Sequence, residues 1–321
     1  MIISRTPYRI SLFGGGSDYR EWFKDHGGTV LSTTIDRYCY ILLRRMPPFL
    51  GTRYRVFWSQ MEKVDTVDAI QHDGVRECLK FLGIDEPIEI NHAGDLPARS
   101  GLASSSAFTV GMLNALYALN GQQVSRGRLA NEAICIERTI SRNNCGVQDQ
   151  IECAFGGINV VNIDKDGSYN IRQLDIKDRA SLFEEYLVLV FTDITRDPEA
   201  TNAQTKNDEP TQKLLLRMME MVPIAAKILE SGTPVELGHL LHETWILKRQ
   251  LSNKITNSRI DSVYETARQN GAIGGKLLGA GGGGFMLFCV PPEKRRDMLD
   301  ALKLQSVPVR FEYSGSQLIL T

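Results

Sequence analysis

Leu96-Pro97-Ala98-Arg99-Ser100-Gly101-Leu102-Ala103-Ser104-Ser105-Ser106-Ala107 decides how this chain is read. The run follows a strand-like stretch, Pro87 to Asn91. It opens a long apolar segment of small residues, Ser104 to Leu119, which reads as a buried helix. Small residues let backbone N–H groups approach an anion closely. A helix N-terminus adds free donors and a favourable dipole. The three serine hydroxyls can bond phosphate oxygens or ligate magnesium; they can equally be a serine-rich helix cap. The segment is not a Walker A loop, because the GxxxxGK[ST] spacing is absent.

Two glycine-rich segments flank it at a distance. Lys276 to Phe285 carries five glycines within Gly279 to Gly284, broken only by Ala280. Glycine is costly to order, so such a run suits backbone folded tightly against a ligand or another loop. A flexible hairpin turn would need far fewer. Near the start, Pro7 to Phe13 alternates like a strand and meets Gly14-Gly15-Gly16, with Asp18 just beyond. In isolation that is a common turn. Glu132 and Glu137 fall in a charged amphipathic stretch, Arg126 to Ser141, read as a helix. Asp149 follows in Gln148-Asp149-Gln150. Carboxylates beside a phosphate loop supply a magnesium ligand and a hydroxyl-orienting group, the parts phosphoryl transfer needs. Glu132 is expected on the solvated side of its helix.

The rest of the chain sets the frame. Its 321 residues suggest roughly two domains of about 150 each. Strands and short helices dominate to about residue 195. Beyond it, Pro210–Leu229, Pro234–Ser252 and Ser258–Asn270 read as helices. Phe285–Val290 and Val307–Tyr313 read as strands on either side of a helix, Glu293–Leu304. The expected division is 1–185 and 186–321. Lys plus Arg total 37 and Asp plus Glu 38, a net charge of −1, which argues against non-specific nucleic-acid binding. The longest apolar run, Tyr186 to Phe191, is too short to span a membrane, and no signal peptide is evident. Six scattered cysteines without CxxC spacing read as reduced thiols of a cytoplasmic protein. A homodimer is compatible with the sequence but not indicated by it.

In this order the segments resemble the GHMP kinase superfamily of galactokinase, homoserine kinase, mevalonate kinase and phosphomevalonate kinase. Pro97 to Ala107 is similar to its PxxxGLxSSxA phosphate loop, and Lys276 to Phe285 to its KLxGAGGGG motif. Within the group, Arg5 to Asp18, His26 to Asp36 and Gln148 to Gln150 resemble sugar 1-kinases of the heptose 7-phosphate kinase type. The resemblance implies an α+β, two-domain fold: an N-terminal domain like ribosomal protein S5 domain 2, with a left-handed βαβ crossover, and a ferredoxin-like C-terminal domain. It implies ATP and Mg2+, and a small sugar phosphate as substrate.

Residue by residue, it implies that Pro97, Arg99, Gly101, Leu102, Ala103, Ser104, Ser105 and Ser106 hold the triphosphate. Ser105 and Glu137 would ligate magnesium. Asp149 would take or orient the substrate hydroxyl proton, paired with Arg9. Asp18, Gly15, Gly16, Gly282, Gly283 and Arg196 would line the sugar site. Two departures stand out. Galactokinases carry a Glu-His pair where this chain has Gly15-Gly16, which argues against galactose. Ala103 stands where many relatives have glycine. A fucokinase-like sugar 1-kinase and a non-catalytic ligand-binding relative are the competing expectations.

Overall fold

The computed structural model describes residues 1–142, 145–195 and 208–320. The first half runs β1 (Ile2–Phe13), α1 (Arg20–His26), β2 (Gly28–Arg45), β3 (Tyr54–Phe57), β4 (Met61–Val64), α2 (Asp73–Leu82), β5 (Ile88–Gly94), α3 (Ser104–Leu119), α4 (Arg126–Ile140) and α5 (Gln148–Phe155). It continues with β6 (Ile158–Ile163), β7 (Tyr169–Gln173), α6 (Ala180–Glu184) and β8 (Leu187–Phe191). The second half holds α7 (Glu209–Ser231), α8 (Pro234–Gln250), α9 (Ser258–Gln269), β9 (Gly274–Leu277), β10 (Phe285–Cys289), α10 (Pro292–Leu302), β11 (Ser306–Pro308), β12 (Phe311–Glu312) and β13 (Gln317–Leu320).

The strands form two sheets. A nine-stranded sheet runs β13-β1-β2-β5-β3-β4, with β6 and β12 also on the long β2, and β7 on β6. All its pairings are antiparallel except β3 with β5. The second sheet is β11-β8-β10-β9, antiparallel throughout. Helix α3 packs on β1 and β2 through a face that runs almost all round, from Ala107 to Tyr117. A helix apolar on every side is stable only inside a core. Its N-terminus is thereby aimed outward at the first sheet's rim, between β1 and the second sheet.

The last strands return to the first sheet. β13 pairs with β1 and β12 with β2, so the tail after Pro308 belongs with the N-terminal strands. A division at residue 185 therefore follows the chain but not the sheets. The single strand expected over Val307–Tyr313 is split for the same reason: β11 pairs with β8 of one sheet and β12 with β2 of the other. The return is tight. A Cβ at Gly156 would lie 2.1 Å from the Gly315 nitrogen. Helix α2 starts later than the expected Val67, because Val67–Ala69 is a single 3-10 turn and His72 Nδ1 caps α2 by accepting from Val75 N. All six cysteines are free thiols. No helix among the described residues is long and apolar enough to cross a membrane.

Candidate active site

The serine-rich loop is held open by backbone geometry. Arg99 and Ala103 both adopt left-handed conformations, with φ of 58° and 61°. For alanine that costs roughly 1 kcal/mol, which is why glycine suits the position better. Ala103 ends the loop as the N-cap of α3 and offers no side-chain cap, so the first N–H groups of α3 lack a side-chain acceptor. Arg99 N donates to Ser104 Oγ at 3.2 Å. Pro97, Arg99 and Ser105 face solvent, Ser104 is half-buried, and Gly101, Leu102, Ala103 and Ser106 are buried.

The glycine-rich segment braces this loop from the second sheet. Phe285 N donates to the Ser100 carbonyl at 2.9 Å, and a Cβ at Gly284 would lie 2.2 Å from that oxygen. With φ at +99°, Gly284 is excluded to other residues on both counts. Gly283 abuts Ile194, and Gly282 N donates to the Ile255 carbonyl at 3.0 Å. Lys248 Nζ donates to the carbonyls of Leu277 and Gly279.

Arg9 ties three elements together. Buried on β1, it forms an ion pair with Asp149 at 2.5 Å, and its Nη1 donates to the Gly101 carbonyl at 3.2 Å. Its backbone N donates to the Leu102 carbonyl at 3.1 Å. The phosphate loop and Asp149 are thus fixed to one guanidinium. Asp149 is a third exposed and open to the cleft, in the first turn of α5. That helix escapes sequence reading because it spans only eight residues.

Asp18 sits beside this pair. One of its carboxylate oxygens accepts from Gly16 N at 3.1 Å and the other from Gln148 N at 3.3 Å. Burial and the nearby Asp149 charge push its carboxyl up, against those two donors. A Cβ at Gly146 would fall 1.9 Å from Asp18 Oδ2, so that approach requires glycine. Gly15 and Gly16 turn the chain between Asp18 and α7, where a Cβ at Gly16 would touch Leu215 at 3.0 Å.

Beside the expected pair of Ser105 and Glu137, the structure adds a hydrogen-bonding neighbour. Ser106, not Ser105, faces α4: its Oγ donates to Glu137 Oε2 at 3.0 Å, and Gln150 Nε2 donates to the same oxygen at 2.7 Å. Three consecutive serines on a helix point about 100° apart, so the phase decides which one meets Glu137. Ser105→Ala should raise the magnesium concentration needed for turnover, as magnesium titrations would read, while Ser106→Ala should act through the position of Glu137. Glu132 lies elsewhere and is not solvated as expected: its side chain is 16% exposed and accepts from Tyr117 and Arg128, whose contacts cover it. Arg196 lies outside the described residues.

The donor set suits a hard cation. Glu137 is buried, its Oε1 has no partner among the described residues, and burial pushes its carboxyl up to about 7. Glu152, also buried, is likewise pushed up to about 7 by burial. Asp18, Glu137, Asp149 and Glu152 stand against Arg9 and Lys276, an excess of two carboxylates if all were ionised. A divalent ion held by Glu137 and Ser105 would offset that excess. Lys276 is the site residue whose role sequence reading missed: it lies buried, and its Nζ donates to the Ser11 carbonyl at 3.0 Å and the Leu12 carbonyl at 2.7 Å. Its motif position was visible; its grip on β1 was not.

Comparison with known proteins gives the same frame. Residues 69–157 match the GHMP kinases N terminal domain, and residues 225–305 match GHMP kinases C terminal. A D-glycero-alpha-D-manno-heptose 7-phosphate kinase from Campylobacter jejuni is 29% identical, over 94% of this chain and 93% of its own. A galactokinase from Pyrococcus furiosus is 25% identical, over 99% of this chain and 97% of its own. A crystal structure of a D-glycero-D-manno-heptose 1-phosphate kinase from Bacteroides thetaiotaomicron superposes with a TM-score of 0.81 at 22% identity, covering 100% of this chain and 99% of that one. With two matched domains in order and a solved kinase fold across the whole length, the chain belongs to the GHMP kinases, as an ATP-dependent kinase of their two-domain α+β fold.

Proposed function

We propose that this protein moves the γ-phosphoryl group of ATP to the anomeric hydroxyl of a sugar phosphate, D-glycero-D-manno-heptose 7-phosphate, giving the 1,7-bisphosphate. The observation that carries it is Arg9, bonded at once to the phosphate loop at Gly101 and to Asp149. A kinase must bring its acceptor hydroxyl and its γ-phosphate to one point, and this arginine links the groups that hold each. The bond from the γ-phosphorus to the β,γ-bridging oxygen breaks, the bond to the sugar oxygen forms, and the hydroxyl proton leaves toward Asp149. An anomeric hydroxyl is more acidic than an ordinary alcohol, so Asp149 can orient it and receive its proton as the transfer proceeds. Asp18 takes sugar hydroxyls, and Gly15 and Gly16 leave room beside it. Magnesium held by Glu137 and Ser105 would supply charge neutralisation at the phosphates, with Ser106 holding Glu137. Arg196 is proposed to receive the substrate's own phosphate through its bidentate fork.

The sugar is argued from likeness as well as from the site. Support comes from the Campylobacter relative. The Bacteroides enzyme's name places its phosphate differently, but that protein bears on the fold only. Gly15-Gly16 speaks against galactose despite the Pyrococcus relative. Six free cysteines suit a reducing compartment, and a cytoplasmic enzyme is part of this proposal. The test is ADP release across sugars with and without a phosphate, with the product position read by phosphorus NMR. A phosphorylated heptose preferred over the free sugar and phosphorylated at the anomeric position supports the reading. Preference for an unphosphorylated sugar replaces it with a fucokinase-like activity, and ATP binding without turnover on any sugar replaces it with a ligand-binding role.

A further inference from the structure

We propose that Lys276 is a positioning residue of the transfer site: it holds a bulge at the end of β1 and so fixes the turn that presents Asp18 to the acceptor sugar. The inference rests on the kinase reading above. Between β1 and β2, Ser11 pairs with Ser32 and Phe13 with Leu31, so the register slips at Leu12. A slip of this kind takes one residue's backbone out of the ladder and bends the strand. Lys276 answers it from the other sheet. Its Nζ donates to the Ser11 carbonyl at 3.0 Å and to the Leu12 carbonyl at 2.7 Å, and the residue is 2% exposed. Burial and the neighbouring Arg9 push the amine down to about 7, so keeping it there costs stability. An apolar side chain would fill the same space without that cost but would give the bulge carbonyls no donor.

The bulge anchors the acceptor side of the cleft. Leu12 and Phe13 are both buried, and the chain then turns at Gly14 with φ at +76°. Ser17 closes that turn: its Oγ donates to the Gly14 carbonyl at 2.8 Å and accepts from Thr29 N at 3.1 Å. Asp18 follows. Its backbone carbonyl accepts from Val147 N at 3.2 Å and its carboxylate from Gln148 N at 3.3 Å, one residue before Asp149. Lys276, Asp18 and Asp149 are therefore joined through one short run of bonded backbone. The anchor is itself held: Lys276 lies in β9, and Lys248 of α8 donates to the Leu277 and Gly279 carbonyls just beyond it. The phosphate loop has separate ties, from Arg9 to the Gly101 carbonyl and from Phe285 N to the Ser100 carbonyl. Removing the Lys276 bonds should release the acceptor turn and leave the phosphate loop in place.

The test is Lys276→Met, which keeps the apolar stem and removes the donors. Its kcat/KM for the sugar should fall roughly tenfold to 10²-fold, the scale on which a displaced reactant slows an enzyme. ATP affinity by calorimetry should stay within about twofold, because the loop's own ties are distant from the change. Lys276→Gln keeps an amide donor on a shorter stem; it should lose about threefold to tenfold and carries the test if the methionine variant does not fold. A folded variant of either kind with sugar kcat/KM within about twofold of the original, or with ATP affinity falling in parallel, overturns the proposal. A second measurement needs no sugar: peptide-resolved hydrogen exchange of the full chain. Amides of residues 14–18 should exchange faster in the variant, while those of residues 101–106 keep their original rates. Unmoved exchange in 14–18, or equal acceleration in both segments, overturns the positioning role even if the sugar assignment holds. Faster exchange confined to 14–18 in a protein that phosphorylates no sugar overturns the functional reading and leaves Lys276 as the anchor of the turn.

Discussion

Asp149→Asn should keep ATP binding and lose roughly 10²- to 10⁴-fold in kcat, the usual size of a general-base contribution. The substitution is nearly isosteric, so it tests charge and acceptor strength rather than packing. Asp149 is a third exposed while Arg9 is buried, so the ion pair presents its carboxylate, not its cation, to the cleft. Asparagine would still accept from Arg9, which keeps the Gly101 carbonyl contact and the phosphate loop in place. It would fail to draw the proton from the acceptor hydroxyl. ATP affinity measured by calorimetry should therefore be unchanged while turnover collapses. A kcat within a few-fold of the original protein removes Asp149 from the mechanism and leaves Arg9 as a structural tie alone.

The legible parts of this chain are those where local chemistry and long-range packing agree. Helix α3 begins and ends at the expected Ser104 and Leu119, because a run of small apolar residues can be buried on every side. The long strand β2 was visible from its β-forming residues. Pieces that depend on distant partners were not legible. β13 carries too few residues to signal a strand, and β12 was legible only as part of one strand with β11; their places come from pairing with β1 and β2. β4, β7 and β9 are equally short. Within the site, Asp149, Arg9, Asp18 and the phosphate loop could be named from motifs. That Ser106 is the serine bonded to Glu137 depends on helix phase relative to α4, which no spacing reveals. Gly146 and Glu152 look unremarkable in sequence. Their meaning comes from a 1.9 Å approach to Asp18 in one case and complete burial against Asn159 in the other.

Glu137→Gln should do two opposite things at once: stabilise the metal-free protein at alkaline pH and cripple turnover. Burial pushes the Glu137 carboxyl up from 4.5 to about 7, opposed by donors from Ser106 and Gln150 and reinforced by the Asp149 charge. The sign follows from proton counts. Between pH 4.5 and about 7 the folded chain holds a proton here that the unfolded chain has lost. Stability contributed by this group therefore falls as pH rises through that window, and the full cost of a buried charge is present above about 7. Glutamine carries no charge, so the variant's advantage should be absent below pH 4.5 and complete above 7, on the order of 3 kcal/mol at most. Thermal unfolding at pH 5 and pH 8 without divalent ions reads this directly. Magnesium nucleotide should raise the melting temperature of the original protein more than that of the variant, because the charge the metal offsets is gone. Turnover should drop on the order of 10²-fold, the scale of one lost electrostatic stabiliser. Glu132→Gln serves as the control: its largely covered carboxylate bonds Tyr117 and Arg128 rather than the phosphate loop, so its kcat should stay within a few-fold. If Glu137→Gln is less stable than the original at pH 8, or if both substitutions slow turnover equally, Glu137 is a structural carboxylate and the metal belongs elsewhere.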